Sequence, residues 1–214
     1  MAPAIPILFA DDALVVVDKP AGMLAVEAPG RRGTTVVDAV GAQLGQRVHA
    51  VHRLDEETSG VFVLAKTLDA KAWLEAVFME HRATRTYLAL VSHAPNPPAG
   101  RIESRLRELP SGIVQSVVRT AGEPAVTDYR TLVRRDRATL VECTPRTGRR
   151  NQLRVHLADL GSPICGDRKY GWRARGRASY PRVMLHAERI VLPRSDGAAD
   201  LEVAVEAPES ALRR

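Results

Sequence analysis

The sequence predicts an α+β fold, a largely antiparallel mixed β-sheet with flanking helices. The chain has 214 residues, of which 45% are hydrophobic, enough to form a sizeable core. Strand-like segments separated by Pro, Gly and Asn fill most of residues 84–145. Only a few segments have the apolar spacing of a helix. We therefore expect one domain over residues 1–214, made of two packed halves with a central cleft.

The first elements can be assigned from turn residues and apolar spacing. The segment "ILFADDALVVVDKP" predicts two short strands around an Asp-Asp turn, ended by a proline. "TTVVDAVGAQL" predicts a helix with a threonine cap. A strand around "RVHAV", a loop and the strand "VFVLAK" follow. In residues 69–80, Trp73 and Val77 share one helical stripe, so we expect a helix that packs on the sheet.

The remainder is rich in strands. Five are predicted between Thr84 and Pro145. A third helix is expected in "NQLRVHLADL", because Leu153, Leu157 and Leu160 recur at helical intervals. Two last strands are predicted in "LHAERIVL" and "LEVAVEA".

Composition restricts the function. No stretch has the ~18 to 20 apolar residues of a membrane span, and the start lacks the features of a signal peptide. We therefore expect a soluble, cytoplasmic protein. We also expect a monomer. Cys143 and Cys165 lie far from any C-x-x-C spacing, and the six histidines are scattered. These patterns favour a protein that uses neither a metal nor a cofactor.

The charge favours an anionic partner. Lys and Arg exceed Asp and Glu by 31 − 25 = +6, and arginine is concentrated near residues 31–33, 146–150 and 172–182. Because the arginine fork suits phosphate and stacks on bases, nucleic acid is favoured over a membrane surface. The alternative is that these arginines simply form a solvated face.

The loop "HRLDEETSG" places three carboxylates behind an arginine. If the segment before the turn is extended, Arg53 and Asp55 project to the same side. A carboxylate beside arginines stays ionised, as a nucleophile must. Alternatively, Asp55 caps the turn. In either case we expect Glu56 and Glu57 to face solvent.

Two further residues have both a chemical and a structural interpretation. Arg154 lies at the edge of the apolar stripe of the third predicted helix, where it either meets a carboxylate or phosphate or extends to solvent. Tyr87 lies on an alternating strand with Arg85 and Ala89 on the same face. Its ring either fills the core or presents its hydroxyl to a cleft.

The loop "HRLDEETSG" resembles the H-R-L-D-x-x-T-S-G signature of the RluA-type pseudouridine synthases. The resemblance continues in "VVVDKPAGM", "RTYLALV", "TGRRNQLRVHLADLGSPICGDRKYG" and "LHAERI". These motifs follow the order of that family and span nearly the whole chain.

The resemblance implies specific roles. Asp55 would be the catalytic carboxylate, Tyr87 would stack on the uracil, and Arg154 would pair with Asp55. Arg53 would fill the gap left by the flipped nucleotide. The other residues that we predict to contact RNA are His52, Thr58, Arg85, Arg149, Arg150 and Gln152.

The sequence departs from the family pattern at two positions. Arg85 stands where many members have Lys, and Asn151 where His is common. The second change raises the question of how Arg154 is held, although Asn can also cap a helix. We also expect the chain to lack the small S4-like RNA-binding module of many relatives.

The implied reaction converts uridine to pseudouridine in a structured RNA, a stem-loop of ribosomal or transfer RNA. Basic residues near 31–32, 146–150 and 173–182 would hold its phosphates. Whether Asp55 acts on the ribose or on C6 of the uracil stays open, although carboxylate chemistry favours the ribose. The alternatives are a non-catalytic RNA-binding protein of the same fold and a hydrolase of the N-glycosidic bond.

Overall fold

The computed structural model describes residues 4–28, 30, 31, 33–117, 121–173, 179–209 and 212. The chain divides into two compact units: unit 1 comprises Met1–Arg85 and Ala187–Ala207, and unit 2 comprises Thr86–His186 and Pro208–Arg214. The described elements are β1 (Ile7–Ala10), β2 (Leu14–Lys19), α1 (Val36–Leu44), β3 (His49–Ala50), β4 (Ser59–Ala65), α2 (Leu68–Met79), β5 (Thr84–Val91), β6 (Ala99–Glu108), β7 (Val114–Val117), β8 (Glu123–Arg135), β9 (Ala138–Pro145), α3 (Gln152–Asp159), a 3₁₀ turn (Arg168–Tyr170), β10 (Leu185–Leu192) and β11 (Leu201–Ala204).

Unit 1 contains a sheet with the strand order β1-β2-β4-β10, with β11 paired to β10 and β3 to β4. Strand β4 is buried along its full length. Helix α2 covers one face of this sheet, because Leu74 and Val77 pack in the same cluster as Val63 and Ile190. This packing agrees with the prediction that the second helix lies on the sheet.

Local signals explain where the elements of unit 1 begin and end. In the turn between β1 and β2, the Asp11 carboxylate accepts hydrogen bonds from the backbone N–H groups of Ala13 and Leu14. Helix α1 starts with a capping box in which Thr35 and Asp38 bond reciprocally. It ends at Gly45, which adopts a left-handed conformation with φ 64°.

Unit 2 contains the strand order β5-β9-β8-β6-β7. The neighbouring pairs in this order are antiparallel, and Tyr87 of β5 lies opposite Cys143 of β9. Helix α3 packs through Val155 on Leu106, Val114 and Ala125. The part of α3 around Val155 therefore packs against β6, β7 and β8.

The predicted α+β class is confirmed, and all predicted strands and helices are present with shifts at their ends. The 3₁₀ turn at Arg168–Tyr170 was not predicted. No helix in the described part of the chain is long and apolar enough to cross a membrane. A single domain with a central cleft stays a prediction.

Candidate active site

A buried lysine fixes the loop that carries Asp55. Lys19, at the end of β2, is 0% exposed. Its ammonium group donates to the backbone carbonyls of Pro20 at 2.9 Å, Glu56 at 2.9 Å and Thr58 at 2.8 Å. An ammonium group has three donors, so these carbonyls use its full capacity. This role of Lys19 was not predicted from the sequence, although the motif "VVVDKPAGM" contains the residue.

Backbone contacts complete the loop. The N–H of Gly22 donates to the carbonyl of Glu56 at 2.8 Å, and the N–H of Thr58 to that of Asp55 at 3.0 Å. Before the turn, Arg53 is exposed, Leu54 is buried and Asp55 is partly buried. Asp55 thus lies on a constrained backbone and remains partly accessible.

Glu56 does not simply face solvent as predicted. Its carboxylate pairs with Arg31, 2.6 Å from Nη2. We predicted that Arg31 holds a phosphate, and to do so Arg31 would have to exchange Glu56 for the phosphate. Arg32 lies outside the described residues. Glu57 is exposed, as expected.

His52 is packed into the protein instead of being presented to RNA. Its ring stacks on Phe78 with centroids 4.5 Å apart and tilts against Phe62 at 4.7 Å. Nε2 accepts a hydrogen bond from the N–H of Val63 at 3.0 Å. Burial, assisted by the charge of Arg85, lowers the pKa of His52 to about 3. The predicted RNA contact by this ring is therefore unsupported, because the imidazole is neutral and engaged in packing.

Thr58 and Gln152 are also structural. Thr58 is 2% exposed, and its carbonyl receives the Lys19 bond. The Gln152 oxygen accepts from the Thr147 hydroxyl at 2.7 Å and the Arg149 N–H at 3.0 Å. Its amide nitrogen donates to the Val126 carbonyl and the Thr127 hydroxyl. All four bonding positions of the Gln152 amide are therefore used within the protein, and the RNA contact of its side chain stays a prediction.

Arg85 and Tyr87 lie on β5. The Arg85 guanidinium lies over the Phe78 ring at 5.9 Å and is partly buried. The Tyr87 side chain is 8% exposed. The RNA contact of Arg85 and the stacking role of Tyr87 stay predictions.

Arg154 forms an ion pair that sequence analysis did not identify. Its Nε and Nη2 donate to the two Asp167 carboxylate oxygens at 2.7 and 2.8 Å. The Arg154 side chain is 11% exposed and that of Asp167 is 1% exposed. A third bond runs from Nη1 to the Asn151 oxygen at 3.1 Å. The snorkelling alternative for Arg154 is therefore wrong, whereas its pairing with Asp55 stays a prediction.

Asn151 replaces the histidine of many relatives without capping α3. It occupies the N-cap position with φ 53°, but its side chain makes no capping bond. Instead its amide nitrogen donates to the Tyr170 hydroxyl at 3.0 Å. The capping role considered for Asn151 is thus corrected: the side chain holds Arg154 and Tyr170.

The buried His156 connects α3 to two strands of the sheet through its ring nitrogens. The His156 Nε2 lies 3.0 Å from the Ser104 hydroxyl, and Nδ1 lies 2.9 Å from the Thr127 hydroxyl. Burial lowers the pKa of His156 to about 4, against the opposing charge of Asp159. This neutral histidine ties α3 to β6 and β8.

The arginines predicted to hold phosphates are already ion-paired. Arg146 shares Asp128 with Arg101, whose hydrogen bond is the main reason why the pKa of Asp128 falls to about 2. Arg149 pairs with Glu123 at 3.0 Å, and Arg150 pairs with Glu108. These pairs are solvent-accessible, so a phosphate could replace the carboxylate at modest free-energy cost.

The third basic segment is only partly described. Residues 174–178 lie outside the described part of the chain. The Arg182 side chain is 9% exposed and pairs with Glu209 through two hydrogen bonds of 2.8 and 2.7 Å. Arg182 is therefore a structural residue and not the predicted phosphate contact.

Among the described residues, no three His, Cys, Asp or Glu side chains could hold a metal together.

Comparison with known proteins identifies the family. A profile described as RNA pseudouridylate synthase matches residues 13–159, which include the Asp55 loop, β5 and α3. The chain belongs to this family. It is 38% identical over 195 residues to the dual-specificity RNA pseudouridine synthase RluA of Escherichia coli, covering 89% of this chain and 87% of that protein. It is also 36% identical to ribosomal large subunit pseudouridine synthase D of Nitrosomonas europaea, covering 89% of this chain and 59% of that protein.

Solved structures agree with this assignment. Human RNA pseudouridylate synthase domain containing 4 matches with a TM-score of 0.79 and 30% identity, over 95% of this chain and 88% of that one. Human RNA pseudouridylate synthase domain containing 1 has the same TM-score at 25% identity, over 100% and 91% of the respective chains. The protein is an RNA pseudouridine synthase and therefore an isomerase.

Proposed function

We propose that the protein isomerises specific uridines of ribosomal RNA, transfer RNA or both, with Asp55 as the catalytic carboxylate. The observation that carries the proposal is the Asp55 loop itself, which Lys19 holds through the carbonyls of Glu56 and Thr58 and which lies within the matched family segment. The names of the two bacterial relatives support these RNA classes, since one is called dual-specific and the other acts on the large ribosomal subunit.

The reaction requires neither an oxidant nor an external energy source. The bond between N1 and C1′ breaks, the uracil turns, and C5 bonds to C1′. The proton on C5 is released, and N1 ends with a proton. Asp55 promotes these steps either at the ribose, by attack at C1′ or removal of the 2′ proton, or at C6 of the uracil. A sugar-centred route matches the chemistry of carboxylates on other glycosidic bonds.

The other predicted residues surround this chemistry. The target uridine must leave its stack at a cost of a few kcal/mol, and we propose that Arg53, which is exposed, occupies the space it leaves. Tyr87 would stack on the uracil, and Arg154 would pair with Asp55. We further propose that the protein acts as a cytoplasmic monomer.

The test uses total RNA from cells that lack the gene and were grown with uridine tritiated at C5. Formation of the bond between C5 and C1′ releases this tritium into water. Asp55→Asn should reduce the release at least ~10³-fold while RNA binding persists. Glu57→Gln is the matched control, because this neighbouring carboxylate is exposed, and it should remain active.

The same assay separates the alternatives. Near-normal tritium release by Asp55→Asn would refute the role of Asp55. Free uracil without pseudouridine in the RNA digest would identify a hydrolase. RNA binding by the wild-type protein without release from any RNA would identify a non-catalytic RNA-binding protein.

A further inference from the structure

The Arg154 guanidinium contacts three residues from two segments of unit 2, the start of α3 and the 3₁₀ turn. The Asp167 carboxylate accepts from Nε and Nη2, and the Asn151 oxygen accepts from Nη1. The Tyr170 ring lies 5.0 Å from the guanidinium carbon, a separation typical of a cation–π contact. Since a fork bonded along one edge and stacked on one face cannot rotate freely, Arg154 is held in one orientation.

Asp167 is itself rigidly placed. One oxygen accepts from the Tyr170 N–H at 3.2 Å and so begins the 3₁₀ turn. The preceding Gly166 has φ 83°, and a Cβ there would lie 1.9 Å from the Arg182 carbonyl. The adjacent Cys165 bonds through its backbone to Leu90 and Met184. The carboxylate is thus attached to a backbone that has little freedom to move.

Tyr170 links this arrangement to the sheet. Its hydroxyl accepts from Asn151 at 3.0 Å and from the N–H of Val114, at the start of β7, at 3.1 Å. The ring under Arg154 is therefore fixed at its far end. The clamp formed by Asp167, Asn151 and Tyr170 joins the start of α3 to the 3₁₀ turn and to β7.

We propose that Asp167 is a positioning residue for pseudouridine formation, acting by holding the Arg154 guanidinium. This inference rests on the proposed role of Arg154 in the reaction. The two hydrogen bonds to Asp167 fix the orientation of the Arg154 guanidinium. When a group in an active site is displaced by ~1 Å, the reaction rate can fall by about 10²-fold. Asp167 would affect the rate of the chemical step and not the affinity for RNA.

The test compares Asp167→Asn with Glu209→Gln. Each change removes one carboxylate from a bidentate, largely buried arginine pair in unit 2, but Glu209 holds Arg182 and not Arg154. Single-turnover tritium release and RNA binding are measured on the same C5-tritiated total RNA, below the unfolding temperature of both variants. Asp167→Asn should slow the single-turnover rate about 10- to 100-fold with the Kd changed less than about threefold. Glu209→Gln should retain the wild-type rate.

A second variant covers the case in which Asp167→Asn does not fold. Tyr170→Phe keeps the ring under Arg154 but removes the hydroxyl that holds Asn151. It should also lower the single-turnover rate more than the affinity. If the folded Asp167 and Tyr170 variants both turn over at the wild-type rate, or if Glu209→Gln is slowed equally, the inference is wrong. If the wild-type protein releases no tritium, the proposed function fails first and the inference fails with it.

Discussion

Burial gives Lys19 a different task from that of a surface lysine. Its ammonium group lies inside unit 1 and donates hydrogen bonds to three backbone carbonyls. His52 and His156 show a related effect, because burial makes each of them a neutral hydrogen-bonding group. At this scale, the environment of a side chain decides whether it can meet RNA.

Replacement of Lys19 should destabilise unit 1. Lys19→Met keeps the length of the side chain but leaves buried carbonyls without their donor. We expect the free energy of unfolding to fall by about 2 to 5 kcal/mol. Lys66→Met is the control, because Lys66 makes one described bond, to the carbonyl of Asp11. Urea unfolding measures the stability of both variants. Equal losses in the free energy of unfolding would show that the three bonds of Lys19 stabilise the protein no more than the one described bond of Lys66.

The buried histidines should make stability depend on pH. Burial lowers the pKa of His52 to about 3 and that of His156 to about 4 in the folded protein, whereas the pKa of an unfolded histidine is near 6.5. As pH falls below 6.5, the unfolded chain binds protons that the folded chain does not, so the free energy of unfolding decreases. Each histidine lowers the free energy of unfolding by at most about 1.4 kcal/mol per pH unit, and this pH dependence is called the slope below.

Urea unfolding between pH 7 and pH 5 measures this slope. His52→Gln and His156→Gln should each reduce it, since glutamine does not titrate. His93→Gln is the control substitution, because His93 is exposed. An unaltered pH slope in both buried-site variants would contradict the assignment.

Helix α3 is stabilised by hydrogen bonds to other segments and not by a side-chain cap at its N-terminus. Its N-cap residue makes no side-chain capping bond, and Asn151 has a left-handed backbone. Gln152 and His156 instead bond to β8 and to the loop before the helix. The position of Arg154 therefore depends on the sheet beneath the helix.

Strand β4 depends on a glycine at its contact with β10. Gly60 has φ 108°, and a Cβ there would lie 2.1 Å from the Ala187 carbonyl oxygen. Gly60→Ala should lower the free energy of unfolding by about 2 to 6 kcal/mol, through backbone strain and overpacking. Gly197 has φ 74° with nothing within 4 Å, so Gly197→Ala measures backbone strain alone. Equal destabilisation of the two variants by urea would refute the close contact.

Charge is the property of the whole molecule that bears most directly on RNA. The net charge is +6, yet Arg146, Arg149 and Arg150 are each engaged with a carboxylate. RNA binding by these residues would exchange a surface ion pair for a phosphate contact. Such pairs contribute only about 0 to 1 kcal/mol, so the exchange is feasible.

RNA affinity should decrease steeply with salt. Each phosphate that is neutralised releases counterions, so we expect at least about a tenfold loss of affinity between ~50 and ~200 mM salt. Arg146→Gln should reduce the slope of log affinity against log salt by about one unit or less. Arg189→Gln is the control, because Arg189 also has an exposed carboxylate partner but lies outside the predicted RNA surface. Fluorescence anisotropy with labelled RNA measures these slopes, and salt-independent binding would indicate an uncharged interface.

The family, the α+β class and the order of the elements could be predicted from the sequence. Turn residues, helix caps and apolar spacing are local, so a few neighbouring residues define each element, as in the capping box of Thr35 and Asp38. The motif around Asp55 is likewise contiguous, and the resemblance it carried is confirmed by the family match.

The partners of individual side chains required the folded chain. Lys19 bonds to carbonyls 37 and 39 residues away, and Gln152 bonds to residues 25 and 26 positions away. Arg154 bonds to Asp167, which lies 13 residues further along the chain. Whether a polar residue contacts RNA or supports the core depends on its burial and on the identity of its partner. Both are set by contacts between segments distant in sequence, and local pattern carries no signal for them.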